Sequence, residues 1–246
     1  MEITQIDSLQ HPIVKLAVKL RKSKKMRDEQ QEVVISGKKL VQEATKRKIL
    51  FVEQSAPIPP LEADLCYQVS EAILKKITGL VSPEPLAAIV SMSPQDSLVG
   101  KKWILVLDEV QDPGNLGTLV RTALALGWEG VFLTDGSADL FNEKAIRAAK
   151  GASFRLPYKK GTRDELTSFL NEGNFTAFVA DMNGSALSKT SFTPPLALIL
   201  SNEARGASST MKESFSPLSI PIQEIESLNV AAAGAIFLYT LRTRVC

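Results

Sequence analysis

Three segments in the second half of the chain combine polar side chains with small residues, a pattern typical of ligand-binding loops. They are DEVQDPGNLGTLVR at 108–121, LSNEARGAS at 200–208 and IPIQEIESLNVAAAGA at 220–235. Each segment follows or contains the end of a short apolar run that predicts a buried strand. Because ligands of parallel α/β sheets collect beyond the carboxyl ends of the strands, we expect the three loops to meet around one site.

The first loop offers an amide and a guanidinium close together in sequence. Pro113 and Gly114 favour a tight turn, and Asn115 is well placed to cap the helix that follows. Arg121 lies farther along this helix, where a side chain points back toward the helix N-terminus and can approach the loop. A plain helix cap for Asn115 and a solvated surface position for Arg121 are the simpler alternatives.

The other two loops add a carboxylate and a helix start with small side chains. Glu203 suits a polar, cationic or ribose-bearing ligand, although a place near the positive end of a helix dipole would also explain it. Ser227 is a natural N-cap, and Asn229 is a poor helix former in the first turn. The small residues at 231–235 permit close approach of a ligand, with core packing as the alternative.

Several common chemistries find no support in the composition. One histidine, His11, and two cysteines, Cys66 and Cys246, are too few for a structural zinc site of about four ligands. We expect His11 at the surface or as a cap. The missing GxGxxG motif disfavours a dinucleotide-dependent oxidoreductase. We expect no metal and no membrane span, and the cysteine usage favours a cytoplasmic location unless a transit peptide has been removed.

The elements around these loops predict two α/β blocks separated by a polar linker. Residues 1–95 form the smaller block, and residues 96–246 alternate strands and helices, which predicts a mostly parallel sheet covered on both faces. Local predictions include a basic loop over 24–28, strands at 32–36, 130–134, 155–158 and 219–222, and a closing helix over 228–242.

The net charge of +2 conceals a concentrated basic segment near the N-terminus. Among residues 15–27 there are seven basic residues and no acidic one: Lys15, Lys19, Arg21, Lys22, Lys24, Lys25 and Arg27. A local basic cluster on a near-neutral chain predicts contact with a polyanion such as RNA. A solvated helix face fits the charge pattern equally well.

Taken in order, three strings resemble the SpoU (TrmH-type) branch of the SPOUT RNA methyltransferases: PGNLGTLVRTALALG, LILSNEARGAS and SIPIQEIESLNVAAAGAIFLY. The strings SLQHPIVK, RKSKKMRDEQ and ISGKKLVQEA are similar to the small substrate-binding domain that often precedes the catalytic domain. The resemblance covers nearly the whole chain. It implies a small α/β RNA-binding domain at 1–95, an α/β domain with a C-terminal trefoil knot at 96–246, and a homodimer.

The implied activity is methylation of a ribose 2′-hydroxyl in structured ribosomal or transfer RNA, with S-adenosylmethionine as the cofactor. By motif position, cofactor contacts fall on Ser201, Gly206, Ile220 and Leu228, largely through backbone groups. The candidate catalytic arginine is Arg121 with Asn115 as its partner, and other active-site positions fall on Glu203, Ser227 and Asn229.

Two residues depart from the family pattern. Ser201 stands where many members have glycine, and Ala231 stands where many have serine. The contact at Ser201 is expected through the backbone and should be little affected. The missing hydroxyl at Ala231 leaves a non-catalytic RNA-binding protein that retains the knotted fold as the alternative to an active enzyme.

Overall fold

A computed structural model gives the structure of the protein, and it describes residues 3–189, 192–224 and 226–244. The chain divides into two compact units. The first contains the residues up to Ser93 together with Phe141–Ile146, and the second contains Pro94–Leu140 together with the residues from Arg147 onward.

The first unit is built on a five-stranded mixed sheet. Its elements are β1 (Ile3–Ile6), α1 (Pro12–Lys22), α2 (Lys24–Gln30), β2 (Glu32–Ser36), α3 (Lys38–Glu43), β3 (Arg47–Glu53), β4 (Leu65–Val69), α4 (Glu71–Thr78) and β5 (Leu86–Ser91). The strand order is β1-β4-β3-β5-β2, with β5 antiparallel to both of its neighbours. His11 caps α1 as expected, and the apolar face of α1, with Val14, Ala17 and Leu20, is buried in the core of this unit.

The basic segment of the first unit is helical where a loop was predicted over 24–28. The hydroxyl of Ser23 accepts a hydrogen bond from a backbone N–H of the next turn at 3.2 Å and so caps α2. Arg27 is only 2% exposed, and its guanidinium donates to the carbonyl oxygens of Leu20 and Arg21 at 2.7 and 3.0 Å. Because this guanidinium is buried and ties down two carbonyl groups, the predicted RNA contact of Arg27 is corrected to a structural role.

The second unit is built on a six-stranded sheet in which every pairing is parallel. Its elements are β6 (Trp103–Asp108), α5 (Pro113–Ala125), β7 (Gly130–Thr134), the end of α6 (Glu143–Ala149), β8 (Tyr158–Gly161), α7 (Arg163–Glu172), β9 (Thr176–Ala186), β10 (Leu196–Ser201), α8 (Ser209–Ser214), β11 (Ser216–Ser219) and α9 (Val230–Thr243). The first residues of α6, up to Ile146, belong to the first unit. The strand order is β11-β9-β10-β6-β7-β8, and β6 and β10 at its centre are buried throughout. These two strands therefore read as continuous apolar runs in the sequence.

Two predicted strands are displaced in the structure. A 3₁₀ turn occupies Ala152–Phe154, so that β8 begins only at Tyr158 rather than spanning 155–158. The last strand, β11, ends at Ser219 where 219–222 was predicted, because α8, which the sequence did not predict, leads directly into it. The predicted strands at 32–36 and 130–134 are confirmed as β2 and β7.

Helices α5 and α9 pack closely against each other because Gly234 has no side chain. A Cβ atom at this position would lie 2.3 Å from Cδ2 of Leu119 and 2.7 Å from Cδ1 of Leu200. Part of the small-residue run at 231–235 therefore serves core packing, the alternative considered for it.

Candidate active site

A cavity of about 390 Å³ lies in the second unit, within the size range of small-molecule sites. The N-terminus of α5, the middle of β9, the loop after β10 and the segment from β11 to α9 all contribute to its wall. It is lined by eight of the nine residues predicted for catalysis or cofactor binding: Asn115, Ser201, Glu203, Gly206, Ile220, Ser227, Leu228 and Asn229. The three loops thus meet around one cavity, while the chemical roles of these residues stay predictions.

A chain of hydrogen bonds joins the three loops at this cavity. The Nδ2 group of Asn115 donates to Oε1 of Glu203 at 3.2 Å, and its Oδ1 accepts from Nδ2 of Asn229 at 3.1 Å. The Glu203 carboxylate also accepts from the backbone N–H groups of Gln111 and Asp112, at 3.2 and 3.3 Å. Each loop is therefore held to another by a polar side chain that lines the cavity.

The helix caps beside the cavity differ from those predicted. Asp112 caps α5 by accepting from the backbone N–H of Asn115 at 2.7 Å, which leaves the Asn115 side chain for its two partners in the other loops. Asn229, rather than Ser227, caps α9, since its Oδ1 accepts from the backbone N–H groups of Ala231 and Ala232. The predicted caps at Asn115 and Ser227 are wrong: Asn115 bonds to the other two loops through its side chain, and Asn229 both caps α9 and donates to Asn115.

The loop after β10 is shaped by Asn202, a buried residue that the sequence analysis missed. Its Oδ1 accepts from the backbone N–H groups of Ala204 and Arg205, each at 3.0 Å, and its Nδ2 donates to the carbonyl oxygen of Glu109 at 3.0 Å. Gly206 closes the loop through a bridge back to Asn202 and has φ +64°, a conformation that favours glycine. An asparagine directly after an apolar strand is the signal that could have revealed this role.

Carboxylates at the end of β6 fix the start of the first loop. Asp108 is 1% exposed and accepts from Nε and Nη2 of Arg163 at 2.9 and 3.0 Å, and from the hydroxyl of Thr134 at 2.9 Å. The hydrogen bond with Asp108 raises the pKa of Arg163 despite partial burial. Glu109 pairs with both Arg163 and Arg205, which connects the first loop to the loop after β10.

Two more polar groups of the cavity wall come from β9 and β10. The carboxylate of Asp181 accepts from Nζ of Lys212 at 2.5 Å and from the backbone N–H of Asn183 at 2.9 Å. Burial raises the pKa of Asp181, but these two hydrogen bonds and the charge of Lys212 outweigh it and hold the pKa below its usual range. The hydroxyl of Ser201 is buried and has no hydrogen-bond partner in the described part of the chain. The sequence pattern did not indicate Asp181 either, because its ion pair with Lys212 forms only in the fold.

Arg121 lies outside the cavity. Six residues along a helix of 3.6 residues per turn place it about 120° around the axis from Asn115. Its side chain is exposed, and no described residue forms an ion pair or hydrogen bond with its guanidinium. Arg121 is thus the one residue predicted for catalysis or cofactor binding that does not line the cavity, and its role stays a prediction.

Within the described ranges 3–189, 192–224 and 226–244, no helix is long and apolar enough to cross a membrane. These ranges also contain no group of three or more His, Cys, Asp or Glu side chains that could hold a metal ion. Cys66 is buried with a free thiol, and Cys246 lies outside the described residues.

This fold, a parallel α/β sheet whose loops enclose the cavity and a small α/β domain before it, is shared with SPOUT-type methyltransferases of known structure. Residues 102–239 match the SpoU rRNA Methylase family, and residues 11–88 match the MRM3-like substrate binding domain. The chain belongs to the SpoU rRNA methylase family.

Relatives and solved structures agree over the whole chain. It is 37% identical to the 23S rRNA (guanosine(2553)-2′-O)-methyltransferase RlmP of Bacillus subtilis (strain 168), over 97% of this chain and 99% of that protein. The AdoMet-bound rRNA methyltransferase from Sinorhizobium meliloti has a TM-score of 0.85 at 26% identity, covering 98% of this chain and 97% of that one. An RNA 2′-O ribose methyltransferase structure has a TM-score of 0.84 at 27% identity, covering 97% and 98%. The resemblance and the fold class are confirmed, and the trefoil knot stays a prediction.

Proposed function

We propose that this protein transfers a methyl group from S-adenosylmethionine to a ribose 2′-hydroxyl in ribosomal RNA. The observation that carries the proposal is the cavity where Asn115, Glu203 and Asn229 join three loops. Support comes from the Bacillus subtilis relative, which is named a 23S rRNA 2′-O-methyltransferase, and from the AdoMet-bound Sinorhizobium meliloti structure.

The residues of the cavity fit S-adenosylmethionine. Leu218, Ile220, Leu228 and Phe237 give it an apolar part that suits an adenine ring. The Ser201 hydroxyl without a partner and the ionised carboxylate of Asp181 suit the polar groups of the ligand. The bound cofactor supplies an activated methyl group on a sulfonium, so the protein mainly has to align the acceptor oxygen and assist loss of its proton.

The residues of this chain divide that work between them. Asn115 and Asn229 hold the loops in register, and Glu203, whose carboxylate is already engaged by three donors, positions the first loop rather than moving a proton. Ser227 presents a hydroxyl in the cavity wall. Arg121, exposed and unpaired among the described residues, engages the RNA backbone and stabilises developing charge, because an arginine stays protonated; water or a phosphate takes the proton.

The RNA is held by the exposed lysines of the first unit. Lys15, Lys19 and Lys22 follow each other at intervals of four and three residues and share the face of α1 opposite its buried residues. Lys24 and Lys25 are exposed at the start of α2. Arg21 contributes less, because its guanidinium is mostly buried and pairs with Glu143 at 2.9 Å. This face lies within the region that matches a substrate-binding domain.

We also propose a cytoplasmic homodimer with domain limits of 1–95 and 96–246. Ile236 and Tyr239, three residues apart on α9, are 42% and 59% exposed and offer an apolar surface to a second copy. The two cysteines support the location. Light scattering on the purified chain would give twice the mass of 26.8 kDa, and a monomer would refute the dimer.

The activity is tested with ribosomal RNA from cells that lack the protein. Incubation with the purified chain and methyl-labelled cofactor should label one nucleotide, whose 2′-O-methyl group is then mapped. Ribosomal RNA from cells that contain the protein is the matched control and should accept no label, because its site is already methylated. Equal labelling of both RNAs, or of neither, would contradict the proposal.

A further inference from the structure

Ser201 carries a hydroxyl group that the fold leaves unused. It is the last residue of β10, only 7% exposed, and it lines the cavity. Its Oγ atom has no hydrogen-bond partner in the part of the chain that the structure describes. Since buried hydroxyl groups in folded proteins are nearly always hydrogen-bonded, this one is expected to find its partner in a ligand of the cavity.

Asp181, on the neighbouring strand β9, lines the same cavity as Ser201. The register of β9 and β10 pairs Ala177 with Ala197 and Val179 with Ile199, and all four side chains belong to one core cluster. The ladder ends at Val179 and Ile199, and β9 departs from its regular register before Ser185, so that Asp181 reaches the cavity just beyond the ladder. The cavity wall therefore presents both a hydroxyl and a carboxylate.

The Asp181 carboxylate keeps acceptor capacity for a ligand. Lys212 and the backbone N–H of Asn183 occupy two of its roughly four lone-pair positions. Because the Lys212 ammonium already balances its charge, the pair suits a neutral hydroxyl donor better than a second ammonium group. A carboxylate that accepts from a ribose hydroxyl is a common device in nucleotide recognition.

We propose that Ser201 and Asp181 form a subsite that binds the two ribose hydroxyls of S-adenosylmethionine. Asp181 accepts from one hydroxyl, and Ser201 exchanges a hydrogen bond with the other. The subsite rests on the proposed function, since it needs this cofactor in the cavity. It assigns a side-chain role to a position where the resemblance implies only a backbone contact.

The test is calorimetry with S-adenosylhomocysteine and its 2′-deoxy and 3′-deoxy analogues. We expect Ser201→Ala to weaken binding of the parent compound about three- to tenfold, and Asp181→Asn about tenfold or more. The decisive quantity is the deoxy penalty, the factor by which removing a ribose hydroxyl weakens binding. It should be large in the wild type and should shrink toward one, for at least one analogue, in each variant.

Two variants serve as matched controls. Ser153→Ala removes another buried hydroxyl without a partner among the described residues, but one that does not line the cavity. Asp139→Asn changes a carboxylate that also pairs with a lysine, Lys160, outside the cavity. Both should keep the wild-type affinity and deoxy penalty, and thermal unfolding would verify that all four variants are folded.

The outcomes separate the two proposals. Wild-type protein that binds S-adenosylhomocysteine but shows the same deoxy penalty in all variants would overturn the subsite and leave the proposed function standing. Wild-type protein that does not bind the compound at all would overturn both.

Discussion

Asn115 donates a hydrogen bond of 3.2 Å to Glu203 although 88 residues separate them in the chain. The bond connects the start of α5 to the loop after β10, and the other side of the same amide accepts from Asn229 at the start of α9. A single amide therefore coordinates all three loops of the cavity. Its geometry needs both a donor and an acceptor, which among side chains of this shape only asparagine supplies.

Replacing Asn115 with aspartate should disable the site without unfolding the protein. The variant loses the donor toward Glu203 and places two carboxylates together, so the loops move apart. We expect kcat/KM for RNA methylation to fall on the order of 10²-fold, the cost of a small misplacement of reacting groups. Single-turnover methylation measures it. Thr118→Ala, on the exposed side of α5, is the control, and an Asn115→Asp enzyme as fast as that control would refute the role.

Replacing Arg121 with alanine should abolish methylation and leave cofactor affinity within about twofold of the wild type. The reason is that the exposed guanidinium lies outside the cavity and is proposed to act on the RNA. The rate of methyl transfer and the affinity for S-adenosylhomocysteine, by calorimetry, are measured in parallel. The variant Arg121→Lys keeps the positive charge but loses the planar guanidinium, and so separates the two contributions. Turnover at the wild-type rate would remove Arg121 from the mechanism.

Changing Lys15, Lys19 and Lys22 together to alanine should weaken RNA binding and flatten its salt dependence. If each lysine neutralises one phosphate, the slope of log K against log salt concentration should fall by roughly three. Filter binding between 50 and 200 mM salt would measure it. A double variant of Lys38 and Lys39, both exposed on α3 of the same unit, is the control. An unchanged slope would exclude the α1 face as the RNA contact.

Replacing Lys212 with methionine should make the protein more sensitive to acid. In the wild type the pKa of Asp181 lies below its usual range, so its contribution to stability is present above that range and is lost only as the pH falls through the lowered pKa. Without Lys212, burial dominates and the pKa rises. The loss of stability then begins at a higher pH, which thermal unfolding between pH 3 and 7 would detect. The control is Lys160→Met, which removes a looser ion pair of 3.9 Å and should keep the wild-type pH profile. A wild-type profile for Lys212→Met as well would contradict the prediction.

The sequence revealed those features that depend on local pattern. The apolar runs EVVIS and GVFLT correctly predict β2 and β7, because a strand buried in a sheet is recognisable from its own apolar side chains. The three loops were found for the same reason, since each joins an apolar run to small and polar residues. The short edge strand β1 was missed, as three of its four residues are exposed and carry no apolar pattern.

What the sequence did not reveal is decided by partners far along the chain. Asp112 and Asn115 are both good N-caps, and only the position of Glu203 shows which of the two side chains is needed elsewhere. Arg27 looks like one more cation of a basic cluster, yet α2 packs so that its guanidinium is buried. Asp181 stands out only because it forms an ion pair with Lys212, which lies on α8, a helix that the sequence did not predict.

Because Gly234 has no Cβ atom, α9 can sit close to its neighbours only with this residue at the contact, and this fixes the position of α9 along its axis. If the helix slid by one residue, an alanine from either side of Gly234 would bring its Cβ into a space already bordered by Leu119 and Leu200 at 2.3 and 2.7 Å. Asn229 begins the same helix about 7.5 Å away along its axis. The close packing at Gly234 therefore determines where the Asn229 amide lies in the cavity wall. A larger residue at position 234 would shift α9 and move this amide, although the glycine itself does not line the cavity.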